Sequence, residues 1–201
     1  MSGPNAMTDA ADSLSLFHPL VARWFRDCVG VPTDVQAGAW PVISRGDHVL
    51  ITAPTGSGKT LTAFLWAIDR LVTGAWPRGG VRVLYVSPLK ALNTDVRRNL
   101  LRPLAGLERL FRESGEPWPE VRVETRSGDT LPSERRRMLH HPPEILITTP
   151  ESLNLLLSSR SGRTILTSLS TVILDEVHTL SLIHISEPTR LQLISYAVFC
   201  L

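Results

Sequence analysis

Apolar positions change their spacing several times along the chain, and each change marks an element. Leu16, Leu20, Trp24 and Phe25 recur at helical intervals, which predicts a helix over about 14–28. The Gly30-Val31-Pro32-Thr33 turn breaks it, and Gln36, Ala39 and Trp40 open a second short helix that ends near 41–46. Short β-branched runs then alternate with amphipathic stretches. Strands are predicted over 48–52, 81–86, 121–125, 144–148 and 171–174. One intervening helix carries Leu61, Phe64, Leu65, Ile68, Leu71 and Val72 on a single face and stops at Gly74. Others are predicted over 89 to about 104, started by Ser87-Pro88, over the basic stretch 132–140, and over 151–159. Residues 108–119 contain Pro and Gly and read as a connection. Strands alternating with helices predict an α/β fold with a mostly parallel sheet.

Composition adds limits. A chain of 201 residues suits one domain, and 43% apolar with 20% charged residues is ordinary for a globular protein. No apolar run is long enough to span a membrane, and no basic-then-apolar leader opens the chain, so the expectation is a cytoplasmic protein without a membrane partner. Residues 1–13 are small and polar and read as a disordered start. Cys28 and Cys200 give neither a disulfide framework nor zinc spacing. The net charge of +2 means that any nucleic-acid contact must be local. Of 21 basic residues only Lys59 and Lys90 are lysine, and Lys59 falls in a Gly-rich loop where a compact ammonium is not interchangeable with Arg.

That loop is Ala53-Pro54-Thr55-Gly56-Ser57-Gly58-Lys59-Thr60, between a predicted strand and a predicted helix. It reads as a phosphate-binding loop with Ala53 at the first Gly position. Gly56 and Gly58 let the N–H groups of Gly56, Ser57, Gly58 and Lys59 turn toward a β-phosphate, at the positive end of a helix. Lys59 would reach the β/γ-phosphates and the Thr60 hydroxyl would ligate Mg²⁺. At the end of the 171–174 strand, Asp175 is placed to hold Mg²⁺, and Glu176 to orient and deprotonate the attacking water. On these residues the leading reading is a nucleotide-hydrolysing motor. A small-molecule kinase of the P-loop class and a non-catalytic nucleic-acid-binding module are the alternatives.

With both motifs in place, residues 14–179 resemble the first RecA-like domain of a superfamily 2 helicase of DEAD/DEAH type, most of all the large helicase-related (Lhr) family. Pro32-Thr33-Asp34-Val35-Gln36, followed by Trp40, resembles the Q motif. Ser87-Pro88-Leu89-Lys90-Ala91-Leu92-Asn93 resembles motif Ia, and Thr148-Thr149-Pro150-Glu151-Ser152-Leu153 resembles motif Ib. Ser127-Gly128-Asp129-Thr130 resembles the family's Gly-Asp element, and Asp175-Glu176-Val177-His178 is motif II in its DExH form. The resemblance implies a RecA-like fold, ATP and Mg²⁺ as cofactors, and translocation on single-stranded or partly duplex nucleic acid, DNA favoured, in the 3′-to-5′ sense. It also implies that Gln36 reads the adenine edge, and that Lys90, Asn93, Arg97 and Thr149 contact phosphates with Gly128 and Asp129 nearby. His178 would link the γ-phosphate site to a second RecA-like domain in cis, which would supply arginine fingers. Arg135-Arg136-Arg137 reads as a solvated helix face.

Residues 180–201 depart from this pattern. Their apolar positions follow no period, and Leu180–Arg190 resembles the translation of a transposase sequencing adapter. No Ser-Ala-Thr-like motif III follows the acidic box, and motifs IV to VI are missing. The expectation is therefore a RecA-like domain truncated after motif II, with a non-native tail and a gap at the sheet centre. Such a piece should be unstable and unable to unwind alone.

Overall fold

The computed structural model describes residues 13–53, 57–88, 90–175 and 195–200, with side chains omitted for 90–95 and 195–200. A single 3₁₀ turn, Leu14–Leu16, precedes helices α1 (Pro19–Cys28) and α2 (Asp34–Ser44). The predicted first helix is thus split, because Pro19 sits at the start of α1, where its missing N–H costs nothing. After α2 the elements are β1 (Val49–Thr52), α3 (Lys59–Val72), β2 (Val83–Val86), α4 (Lys90–Glu113), β3 (Val123–Arg126) and α5 (Pro132–His140). Then come β4 (Ile145–Thr148), α6 (Pro150–Ser158), α7 (Arg160–Leu166), β5 (Thr171–Leu174) and β6 (Ser195–Cys200).

The sheet order is β1-β6-β5-β2-β4-β3. β2 pairs in parallel with both β4 and β5, and β4 with β3, so Tyr85 stands beside Ile147 and Ile173. β6 runs antiparallel to both β1 and β5. The expected central gap is therefore filled, by residues that the sequence reading set aside.

Strand alternation sorts the core into two layers. Val83, Tyr85, Ile145, Ile147 and Ile173 face α1 to α4, while Leu84, Val86 and Leu146 face Met138, Leu156 and Ile165 of α5 to α7. β2 and β4 are buried along their whole length, as central parallel strands flanked by helices on both sides must be. Two helices differ from expectation. α4 continues through Pro103 to Glu113, because Leu100, Leu104, Leu107 and Phe111 extend one buried stripe past the proline. α7 was not predicted; Ser159 caps it, accepting from Gly162 N–H at 3.1 Å.

Candidate nucleotide-binding site

β1 leads into the Gly-rich loop and α3 leads out of it. Gly58 has φ +81° and is the N-cap of α3, so Lys59 opens the helix. A Cβ on Gly58 would lie 2.8 Å from Gln36 Nε2. Gln36 is only 2% exposed, in contrast to the surface position common for glutamine. Its Oε1 accepts from the Thr33 N–H at 2.9 Å, and Thr33 Oγ1 accepts from Gln36 N–H, closing a capping box. Thr33 Oγ1 also donates to the Ser57 carbonyl at 3.3 Å. The cap of α2 is thereby tied directly to the loop. Behind it, Trp40 Nε1 donates to the Thr62 carbonyl at 3.1 Å, bracing the first turn of α3.

Lys59 is 5% exposed, and its ammonium donates to the Ala53 carbonyl across the loop. Lysine is rarely buried so deeply without a function or a partner. Ser57 Oγ is buried with no hydrogen-bond partner among the described residues. Together these make a cradle of suitable chemistry for phosphate: a left-handed glycine that a side chain would obstruct, an ammonium, an unsatisfied hydroxyl and a helix N-terminus.

Asp175 follows β5 at the same carboxyl edge of the sheet. It is 2% exposed, and its N–H donates to the Val86 carbonyl at 2.9 Å. The Tyr85 hydroxyl donates to Asp175 Oδ2. Thr60 supplies a hydroxyl from the first turn of α3. A hydroxyl and a carboxylate are hard oxygen donors, the kind that Mg²⁺ takes alongside nucleotide phosphates. Thr55, Gly56, Glu176 and His178 lie outside the described residues, as do the side chains of Lys90 and Asn93.

Of the remaining expected residues, Thr149, Gly128 and Asp129 follow strand ends at this edge. Thr149 is buried at the N-cap of α6, where its hydroxyl accepts from Ser152 N–H at 3.4 Å. Arg97 is exposed on α4, and Gly128 and Asp129 are exposed in the loop after β3. Arg135 corrects one expectation. It is not a solvated residue: its guanidinium donates to the carbonyls of Thr130 (2.8 Å), Ser127 (3.3 Å) and Gly128 (2.6 Å), lacing the Gly-Asp loop to α5. Arg137 is held by Glu124 at 3.3 Å.

Sequence reasoning missed three residues. Tyr85 was hidden in an apolar strand, although a buried phenol normally needs a polar partner and so is itself a signal. Arg135 was masked by its two basic neighbours. Arg126 closes β3 beside Arg135, with Nη1 buried and no partner among the described residues. Burial, and then the neighbouring Arg135 charge, lower its guanidinium below the ordinary range. Two cations set together at a strand end favour an anion.

A mostly parallel α/β sheet with a Gly-rich loop entering a helix and a buried Asp at its carboxyl edge defines a RecA-like P-loop domain. The chain belongs to the DEAD/DEAH box helicase family, whose model matches residues 33–192. The matched range runs into the stretch that the sequence reading set aside. Within the family the chain is similar to Lhr helicases. It is 55% identical over 172 residues to the Lhr helicase/probable uracil glycosylase of Mycolicibacterium smegmatis, covering 85% of this chain and 11% of that protein. To the Lhr helicase/uracil glycosylase of Escherichia coli it is 48% identical over 183 residues, covering 86% and 12%. Among solved structures, Mycobacterium smegmatis helicase Lhr bound to ssDNA and AMP-PNP aligns with a TM-score of 0.79 at 54% identity, covering 84% of this chain and 21% of that one. The chain thus spans about one eighth or less of the two curated relatives' length. Among the described residues no helix is long and apolar enough to cross a membrane.

Proposed function

We propose that this chain is the nucleotide-binding domain of a cytoplasmic ATP-dependent helicase that moves along single-stranded or partly duplex nucleic acid, DNA favoured. The observation that carries the reading is the burial of Lys59 and Asp175 at the carboxyl edge of one sheet, at 5% and 2% exposure. An ammonium and a carboxylate are expensive to bury, and a nucleotide's phosphates and metal would use both. The solved Lhr relative, bound to ssDNA and AMP-PNP, supports the choice of ligands.

In this reading the loop N–H groups of 56–59 hold the β-phosphate. Lys59 exchanges the Ala53 carbonyl for β/γ oxygens. Gln36 stands at the adenine end of the loop. Thr60 and Asp175 would hold Mg²⁺. The ion would supply charge neutralisation for the nucleotide's phosphates. Glu176 takes the proton of the attacking water, and His178 reports the γ-phosphate to the second RecA-like domain. Thr149, Lys90, Asn93 and Arg97 meet the nucleic-acid backbone, with Gly128 and Asp129 beside them. Arg126 joins them as a cation at the end of β3.

Unwinding belongs to the intact protein, because arginine fingers supplied by a second body are worth about 10³–10⁵ in rate in other P-loop enzymes. The test is an ATPase assay on the intact protein with and without single-stranded DNA. Turnover should be DNA-stimulated, and Glu176→Gln should lower it by about 10²–10⁴-fold while sparing ATP binding. Stimulation by a small-molecule acceptor instead of DNA would favour a kinase, and absence of turnover would favour a binding module.

A further inference from the structure

Tyr85 has no place in the roles assigned above, yet its surroundings hold it on several sides. It lies in the middle of β2, fully buried, between Ile147 of β4 and Ile173 of β5 in register. The Phe64 ring packs on it, with centroids 5.3 Å apart and planes tilted by 32°. Phe64 lies four residues after Thr60 on α3, so the helix that starts at the phosphate cradle also packs on this ring. A ring held on these sides has one place for its hydroxyl, and that hydroxyl donates to Asp175 Oδ2. A phenol–carboxylate bond buried this deeply belongs to the stronger class of hydrogen bond.

We propose that Tyr85 is a positioning residue of the nucleotide site: its buried hydroxyl fixes the Asp175 carboxylate in the orientation that receives the Mg²⁺ of a metal–nucleotide complex. Asp175 is anchored twice, through its N–H by Val86 and through its side chain by Tyr85. Both anchors belong to β2, the strand that leads into the motif Ia-like segment. The orientation of Asp175 is thus set from β2, whose carboxyl end leads into the motif Ia-like segment. Phenylalanine at this position would fill the same space and remove the hydroxyl bond to the carboxylate.

The inference rests on the Mg²⁺–ATP reading, and the experiment separates the two. In the intact protein, mant-ADP binding is titrated with Mg²⁺ and compared with binding in EDTA. Tyr85→Phe should raise the half-saturating Mg²⁺ concentration by about 10-fold or more, the usual cost of losing an outer partner of a metal ligand, and leave binding in EDTA unchanged. In an Asp175→Asn background the same change should add nothing. An unchanged Mg²⁺ requirement in Tyr85→Phe, or an equal further loss in the Asp175→Asn background, overturns the positioning role. If the wild type itself shows no Mg²⁺-dependent binding, the nucleotide-site reading falls and takes this inference with it. Should Tyr85→Phe fail to fold, 3-fluorotyrosine at position 85 keeps the shape. Its ¹⁹F resonance should move with Mg²⁺ and ADP but not with ADP in EDTA, and an unmoved resonance overturns the proposal.

Discussion

Gln36 shows how one side chain serves two levels of organisation. Its Oε1 closes the capping box of α2, and its Nε2 points at the turn of the phosphate loop, where Gly58 leaves room for it. The two roles separate under substitution. Glutamate is itself a capping-box residue, so Gln36→Glu should keep the cap and leave the melting temperature near that of the parent. It removes the amide donor, and ATP affinity should fall about tenfold, the cost of one unmet hydrogen bond at a buried site. Fluorescent-nucleotide titration beside thermal melting checks both halves. A matching loss in GTP affinity would show that Gln36 supports the loop without reading the base. That Lys59 and Thr60 open a helix and Asp175 follows a strand was legible in the sequence because contiguous motifs carry both. Tyr85 was not, because its partner lies 90 residues away and only strand pairing brings the two together.

At the scale of elements, periodicity located the strands well because each is bounded by turn residues and filled with β-branched side chains. It failed where a local signal conflicted with a long-range one. Pro103 removes one helical hydrogen bond, but the stripe from Leu100 to Phe111 carries α4 onward. α7 is short, largely polar, and anchored by Ile165 and Leu166. The run of three arginines in α5 looked uniform, yet packing separates them: Arg135 braces the loop, Arg137 pairs with Glu124, and Arg136 is exposed. Arg135→Ala should therefore loosen residues 127–130 and weaken nucleic-acid binding about three- to tenfold without changing its salt dependence, since Arg135 positions the loop and is not itself a phosphate contact. Arg126→Ala, in contrast, should lower the slope of log affinity against log salt by about one. Fluorescence anisotropy with labelled single strands at several salt concentrations distinguishes the two.

For the whole molecule, the carboxyl edge gathers the loop after β1, the start of α4 after β2, Arg126 after β3, Thr149 after β4 and Asp175 after β5. The residues proposed for nucleotide and for nucleic acid therefore share one rim, as ligand sites do in open α/β sheets. The sheet itself has one discordant member. Five strands point the same way, and β6 alone is reversed. We propose that in the natural gene the slot between β1 and β5 belongs to a parallel strand entering a Ser-Ala-Thr-like motif, as the family resemblance and the adapter-like 180–201 stretch suggest. Adapter-free reading of genomic DNA beyond the codon for Thr179 should reveal that motif, and finding 180–201 there unchanged would refute the idea.

The indole of Trp40 has a practical consequence. It is fully buried between the edges of Phe17 and Phe25, and its N–H rests on Thr62, two residues beyond Thr60. Any movement of the α3 amino end is passed to a chromophore that water does not reach. In a variant whose other four tryptophans are replaced by phenylalanine, Trp40 emission should change as nucleotide fills the loop, giving a label-free optical gauge of occupancy.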